Sequence, residues 1–141
     1  MRTLLLTSLL LIFGEAQAVS TDEIMAECWR DRGHPEMSQC VLDRAQASRA
    51  ELEATEREIR EKLVTISRDT AYPSGYVVRV RNYLNRSDGA YRQYRSAACA
   101  LHYAFASIGN GPDDAKAACE SALDDQRVKE LREAGWWILK Q

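Results

Sequence analysis

The sequence predicts an all-α fold, an antiparallel helical hairpin bundle with a short N-terminal helix plus three longer helices, clamped by two disulfides. Apolar residues recur at steps of three and four over two long stretches, which is the period of a helix face. The main turn-forming clusters, Gly33-His34-Pro35, Tyr72-Pro73-Ser74-Gly75 and Gly109-Asn110-Gly111-Pro112, fall between the periodic stretches rather than inside them. Cys28, Cys40, Cys99 and Cys119 form an even set in a 141-residue chain. With 45% hydrophobic residues the chain holds enough apolar material for one core, and seven Gly with three Pro are too few for a chain of many short strands.

Residues 1–18 read as a signal peptide. Arg2 supplies the positive start, Leu4 to Phe13 the short apolar run, and Ala16-Gln17-Ala18 the small residues of a cleavage site. The run is about half the length a membrane-crossing helix needs. The expectation is therefore an exported, soluble protein, periplasmic or secreted, with no membrane span after cleavage. In an oxidising compartment four cysteines form two disulfides, and the three possible pairings stay open. No Cys-x-x-Cys spacing supports a zinc or redox site.

The mature chain divides into a helical domain over 19–135 and an apolar tail over 136–141. Ser20 with Glu23 has the form of a capping box and opens a short helix over about 21–32. After Pro35, which suits a first turn, Val41, Ala45, Ser48, Leu52, Thr55, Ile59, Leu63 and Ile66 mark one helical face. The third segment, over about 76–108, carries Val77, Val80, Leu84, Ser87, Tyr91, Tyr94, Ala98, Leu101, Phe105 and Ile108 in unbroken alternation of three and four. It predicts a long helix packed along its neighbours, with Gly89 marking a bend or a close contact. Asp113 and Asp114 open the last helix, where negative charge suits the free N–H groups, and Gly135 ends it. Reversals at the three turns bring all four cysteines to one end of the bundle.

The net charge of −2 gives no basis for nucleic-acid binding. Neither His34 nor His102 is spaced with a nucleophile or a ligand set, so no catalytic residue, metal or cofactor is expected, and the chain reads as a binding protein rather than an enzyme. Asp113, Asp114, Glu120, Asp124 and Asp125 make the last helix acidic against the arginines of the third. They either pair with those arginines, as Arg95 is expected to do, or form an outward acidic end that steers a basic partner. Trp136 and Trp137 either fold back over the bundle or form an exposed patch, and Tyr72 sits on a stiff projecting turn.

Three segments carry a resemblance: Cys28 with Pro35-Glu36-Met37-Ser38-Gln39-Cys40, then Tyr91-Arg92-Gln93-Tyr94-Arg95-Ser96-Ala97-Ala98-Cys99, then Ala117-Ala118-Cys119 with Arg127 and Leu131. Together they resemble the LprI-type lysozyme-inhibitor domain of bacterial envelope proteins over about Cys28 to Leu131. Tyr91, Ser96 and Asp88 stand where that family usually carries Trp, Asp and Gln. The resemblance implies a protein partner, a lysozyme or another cell-wall hydrolase, whose cleft the bundle occludes. Because such lysozymes are generally basic, an acidic bundle end suits the encounter. The alternatives are an immunity protein against another secreted toxin and an envelope structural or adaptor module.

Overall fold

A computed structural model describes residues 19–69, 71–73, 75–109 and 111–141. The expected signal peptide at 1–18, and Ser74 and Asn110 within the two long turns, lie outside the described residues. The helices are α1 (Thr21–Trp29), α2 (His34–Ile66), α3 (Tyr76–Ala106), α4 (Pro112–Ala134) and the one-turn α5 (Trp136–Leu139). None of them is long and apolar enough to cross a membrane.

Each boundary has a local cause. Ser20 Oγ accepts from the Glu23 backbone N–H at 3.2 Å while Glu23 Oε2 accepts from the Ser20 N–H at 2.7 Å, completing the capping box. The hydrogen bonds from Ser20, its backbone first, hold the Glu23 carboxyl below the usual carboxylate range. α1 stops at Trp29, short of the expected Arg32, because Asp31 takes a left-handed conformation (φ 58°). Arg32 turns back to donate to the Glu27 and Cys28 carbonyls at 3.0 and 3.2 Å. Gly75 supplies the left-handed start of α3 (φ 80°). At Gly135 a side chain would meet the Leu131 carbonyl at 2.8 Å, so only glycine lets α4 turn this tightly into α5.

α2 and α4 run parallel. Ser38 meets Asp114, Ser48 meets Ser121, and Glu51 meets Arg132, climbing both helices together. α3 runs antiparallel to both, with Asp88 on Arg127, Tyr91 on Asp124, Arg60 on Asp88 and Glu56 on Arg92. The central helix is α4, which packs against α1, α2, α3 and α5. The disulfides are Cys28–Cys40 and Cys99–Cys119. Cys28–Cys40 joins α1 to the start of α2, and Cys99–Cys119 joins α3 to the first half of α4, so all four lie in one half of the bundle.

Two apolar clusters fill the ends. Near the disulfides Ile24, Met37, Val41, Ala117, Ala118 and Ala122 pack together, small residues on α4 letting α1 and α2 approach. At the far end Leu52, Ile59, Leu63, Ile66, Val128, Leu131 and Ile138 form the larger cluster. The apolar face expected on α2 is buried from Val41 to Ile66, with Ala45 partly so.

The expectation for α3 needs correcting. Its only fully buried residues are Val77, Asp88 and Cys99, while Tyr94, Leu101 and Phe105 are exposed by 61, 53 and 72%, and Ile108, expected on the helix, lies past its end at Ala106 and is 99% exposed. The reason is geometric. A stripe of strictly alternating three and four has a period near 3.5 and drifts around a straight helix by about 20° per heptad. Over the length of α3 that amounts to about a quarter turn. The line that stays inward runs through Val77, Leu84, Asp88, Tyr91, Arg95 and Cys99. Gly89 marks no close contact, since nothing lies within 4 Å of where its side chain would stand.

Candidate protein-binding surface

The acidic residues of α4 do not form an outward end. Asp124 has no exposed surface: its carboxylate accepts from Tyr91 Oη at 2.5 Å and from both Arg95 Nε and Nη2, at 2.8 and 2.9 Å. Glu120 adds a 3.4 Å contact to Arg95. Burial alone would lower the Arg95 guanidinium, but the bond to Asp124 and the charges of Asp124 and Glu120 raise it above its ordinary value, so it stays charged. Burial, then the bond to Asp124, pushes the Tyr91 phenol well up. Asp125 pairs with Arg44 at 2.6 Å. Asp114 is buried, accepts from Ser38 Oγ at 2.8 Å and lies 3.7 Å from His34 Nε2. Of the five, only Asp113 is left on the open surface. Glu120, Asp124 and Asp125 sit on the faces of α4 turned toward α2 and α3, where Arg44 and Arg95 neutralise them, and Asp114 meets Ser38 and His34 of α2. Helix pairing, not steering, accounts for the charge pattern.

The same network continues toward the far end. Asp88 takes Arg60 at 2.5 Å and Arg127 at 3.0 Å, and the Arg127 guanidinium stands 5.5 Å from the Tyr91 ring centre. A belt of ion pairs thus holds α3 to α4 between the two apolar clusters.

The aromatic candidates also turn inward. Tyr72 stacks on Tyr76 at 6.2 Å, and Trp137 closes the group at 6.1 Å from Tyr72 and 5.7 Å from Tyr76. Burial, then the neighbouring Tyr72, raises the Tyr76 phenol. Ile138 is buried and Trp137 half-buried, so the tail folds back over the bundle. Trp136 alone stays outside, 58% exposed with Lys140 Nζ at 4.9 Å from its ring.

What remains on the surface is elsewhere. At the disulfide end Asp22, Glu23, Glu27, Asp31, Glu36 and Asp113 are all exposed, outnumbering Arg30, Arg32 and Lys116. The acidic end therefore exists, carried by α1, the α1–α2 turn and the first turns of α2 and α4 rather than by the length of α4. Trp29 stands among these groups, 54% exposed and edge-on to the His34 ring at 6.2 Å. Sequence reasoning missed this patch because its charges are scattered over three elements that the Cys28–Cys40 bond and the packing of α1, α2 and α4 on one another bring together. Among the described residues no group of three or more His, Cys, Asp or Glu could hold a metal ion. The arrangement is one of exposed carboxylates and an exposed indole on a covalently pinned turn, which suits binding to a protein.

No curated protein and no solved structure matches the chain. The family model described as lysozyme inhibitor LprI matches residues 20–131, which takes in α1, α2, α3, most of α4 and both disulfides. This chain therefore belongs to the lysozyme inhibitor LprI family.

Proposed function

We propose that this protein is an exported lysozyme inhibitor whose acidic, disulfide-pinned end docks on a cationic lysozyme and covers its substrate cleft. The observation that carries the reading is an exposed Trp29 on the same end of the bundle as the exposed Asp22, Glu27, Asp31, Glu36 and Asp113. Opposite fields raise the encounter rate, and an aromatic side chain at the centre of the contact supplies the anchor that slows release. The Cys28–Cys40 bond supports the pose by holding the α1–α2 turn in one shape, which lowers the ordering cost of binding. Two disulfides also fit an oxidising compartment, which accords with residues 1–18 acting as an export signal.

The test is a cell-wall lysis assay with the mature, oxidised protein, beside a kinetic binding measurement over a salt series. The parent should inhibit at stoichiometric dose. Asp22→Asn with Glu27→Gln and Glu36→Gln should slow association several-fold at low salt and flatten its salt dependence, because the Debye length is only about 8 Å at physiological ionic strength. Trp29→Ala should speed dissociation. Glu58→Gln with Glu61→Gln, on an exposed face of α2, is the control. Absence of binding to a cationic lysozyme overturns the proposal. Equal salt slopes for parent and triple variant remove the acidic end from it.

A further inference from the structure

The last part of α3 presents a different surface. From Ser96 to Pro112 the chain carries no Lys, Arg, Asp or Glu. From Ala100 to Gly109 only Ala106 is even partly buried. Tyr94, Leu101 and Phe105 lie on one side of the helix at steps of seven and four, Ile108 follows in the turn just past its end, and all four are more than half exposed. A side with no charge and several large apolar groups is the composition of the centre of an interface, not of a solvated helix.

The pattern names its partner. A stripe of period near 3.5 belongs to a coiled-coil seam, which a straight helix in a bundle cannot keep inward but a second helix winding around it can. The bundle supplies no such helix, because α4 lies on the Asp88–Arg95–Cys99 line. We infer that the Tyr94–Phe105 face of α3, extended by Ile108 in the turn that follows, pairs with the same surface of a second copy of this chain, forming a two-fold dimer.

The size is adequate. At about 200 Å² for a fully exposed large side chain, the four residues present roughly 600 Å² per copy, and Ala97 and Ala104 beside them add more. Two copies then bury about 1,200 Å² or more, the lower edge of specific interfaces and above what chance contacts reach. Charge sets the sense. Arg79, Arg81, Arg86 and Arg92 are all exposed on the first part of α3. A parallel pair would bring them against their own copies, whereas an antiparallel pair centred near Leu101 carries the two arginine groups to opposite ends. The face lies on the α3 side of α4, whereas α1 packs on α2 and α4 without touching α3. Self-association thus leaves the Trp29 surface open.

The test is solution mass by light scattering over a micromolar concentration series, using the mature oxidised protein. The parent should shift from monomer to dimer mass as concentration rises. Phe105→Asp with Ile108→Asp should remain monomeric at every concentration, with helicity and melting temperature unchanged, since neither side chain contributes to the core. Val78→Asp, an exposed apolar position on another side of α3, should still dimerise. A monomeric parent throughout, or a dimer that survives the Phe105/Ile108 double variant, overturns the inference. So does loss of lysozyme binding by that variant with a monomeric parent, which would give this face to the enzyme instead.

Discussion

Replacing Asp124 with alanine separates a buried ion pair from a surface one within two adjacent residues. The Asp124 carboxylate is fully buried and takes three hydrogen bonds, two from Arg95 and one from Tyr91. Removing it strands a guanidinium whose side chain is only 18% exposed. Breaking one side of such a pair costs about 3–5 kcal/mol. Glu120 remains at 3.4 Å and water reaches part of Arg95, which places the expected loss near the lower limit, about 3 kcal/mol. Asp125→Ala is the internal comparison. Its partner Arg44 is 41% exposed, so that loss should stay below about 1 kcal/mol. Urea unfolding of the oxidised proteins at neutral pH, with unchanged slopes, measures both. Arg95→Ala combined with Asp124→Ala should cost less than the two single losses added, because neither charge is then left alone. Equal losses for Asp124→Ala and Asp125→Ala, or full additivity with Arg95→Ala, would refute the claim that this belt holds α3 in place.

Four further outcomes are expected. Gly89→Ala should stabilise the protein by about 0.5–1 kcal/mol in the same unfolding assay, since the position is an exposed helix interior with open space at the side chain. Ile138→Ala should cost about 2–4 kcal/mol and lower the melting temperature, because this residue closes the far cluster over Ile59 and Leu131. The Tyr91 phenol is raised in the folded state, so its contribution is complete below about pH 10 and is lost as the unfolded chain ionises above it. Stability measured against pH should therefore fall above that point by up to about 1.4 kcal/mol per unit, less for solvent screening, and Tyr91→Phe should reduce the slope. Replacing Cys99 and Cys119 by serine should cost about 3 kcal/mol for a loop of this length, and hydrogen exchange should quicken in α3 beyond Tyr94 while α1 keeps its protection.

The helices were legible because their signals are local. The Ser20–Glu23 box, Pro35 in a first turn and the face from Val41 to Ile66 act within one or two turns of chain, and the structure keeps each of them. The pairing of Arg95 with α4 could also be read, since opposite charge runs on neighbouring helices predict it. The cysteine pairing could not, because all four lie in one half of the bundle and three connectivities suit that placement equally. The depth of Asp114 and Asp124 was hidden for a related reason. A carboxylate is expected on the surface unless its partner is known, and the partners sit 76 residues away at Ser38 and 29 away at Arg95. The far half of α3 misled most. Its alternating stripe is regular, but regularity does not imply burial, because a period of 3.5 stays buried only against a supercoiling neighbour.

The rotation of α3 shows what the buried charges do. Apolar pattern alone favours turning Tyr94, Leu101 and Phe105 toward α4, and that arrangement would bury more hydrocarbon. It would also pull Asp88 and Arg95 away from Arg127 and Asp124 and leave two charged residues of α4 in the interior without partners, at several kcal/mol each. The Cys99–Cys119 bond points the same way, since Cys99 lies on the Asp88–Arg95 line rather than on the apolar one. Ion pairs and disulfide therefore select one rotation, and they do so with groups that contribute less stability than a well-packed apolar seam of the same length. A helix fixed in this manner can leave its apolar face uncovered without losing its place, because its position does not depend on that face being buried. The surface that results is uncharged, preformed and supported from behind by a covalent bond, which are the properties that lower the cost of docking a second chain.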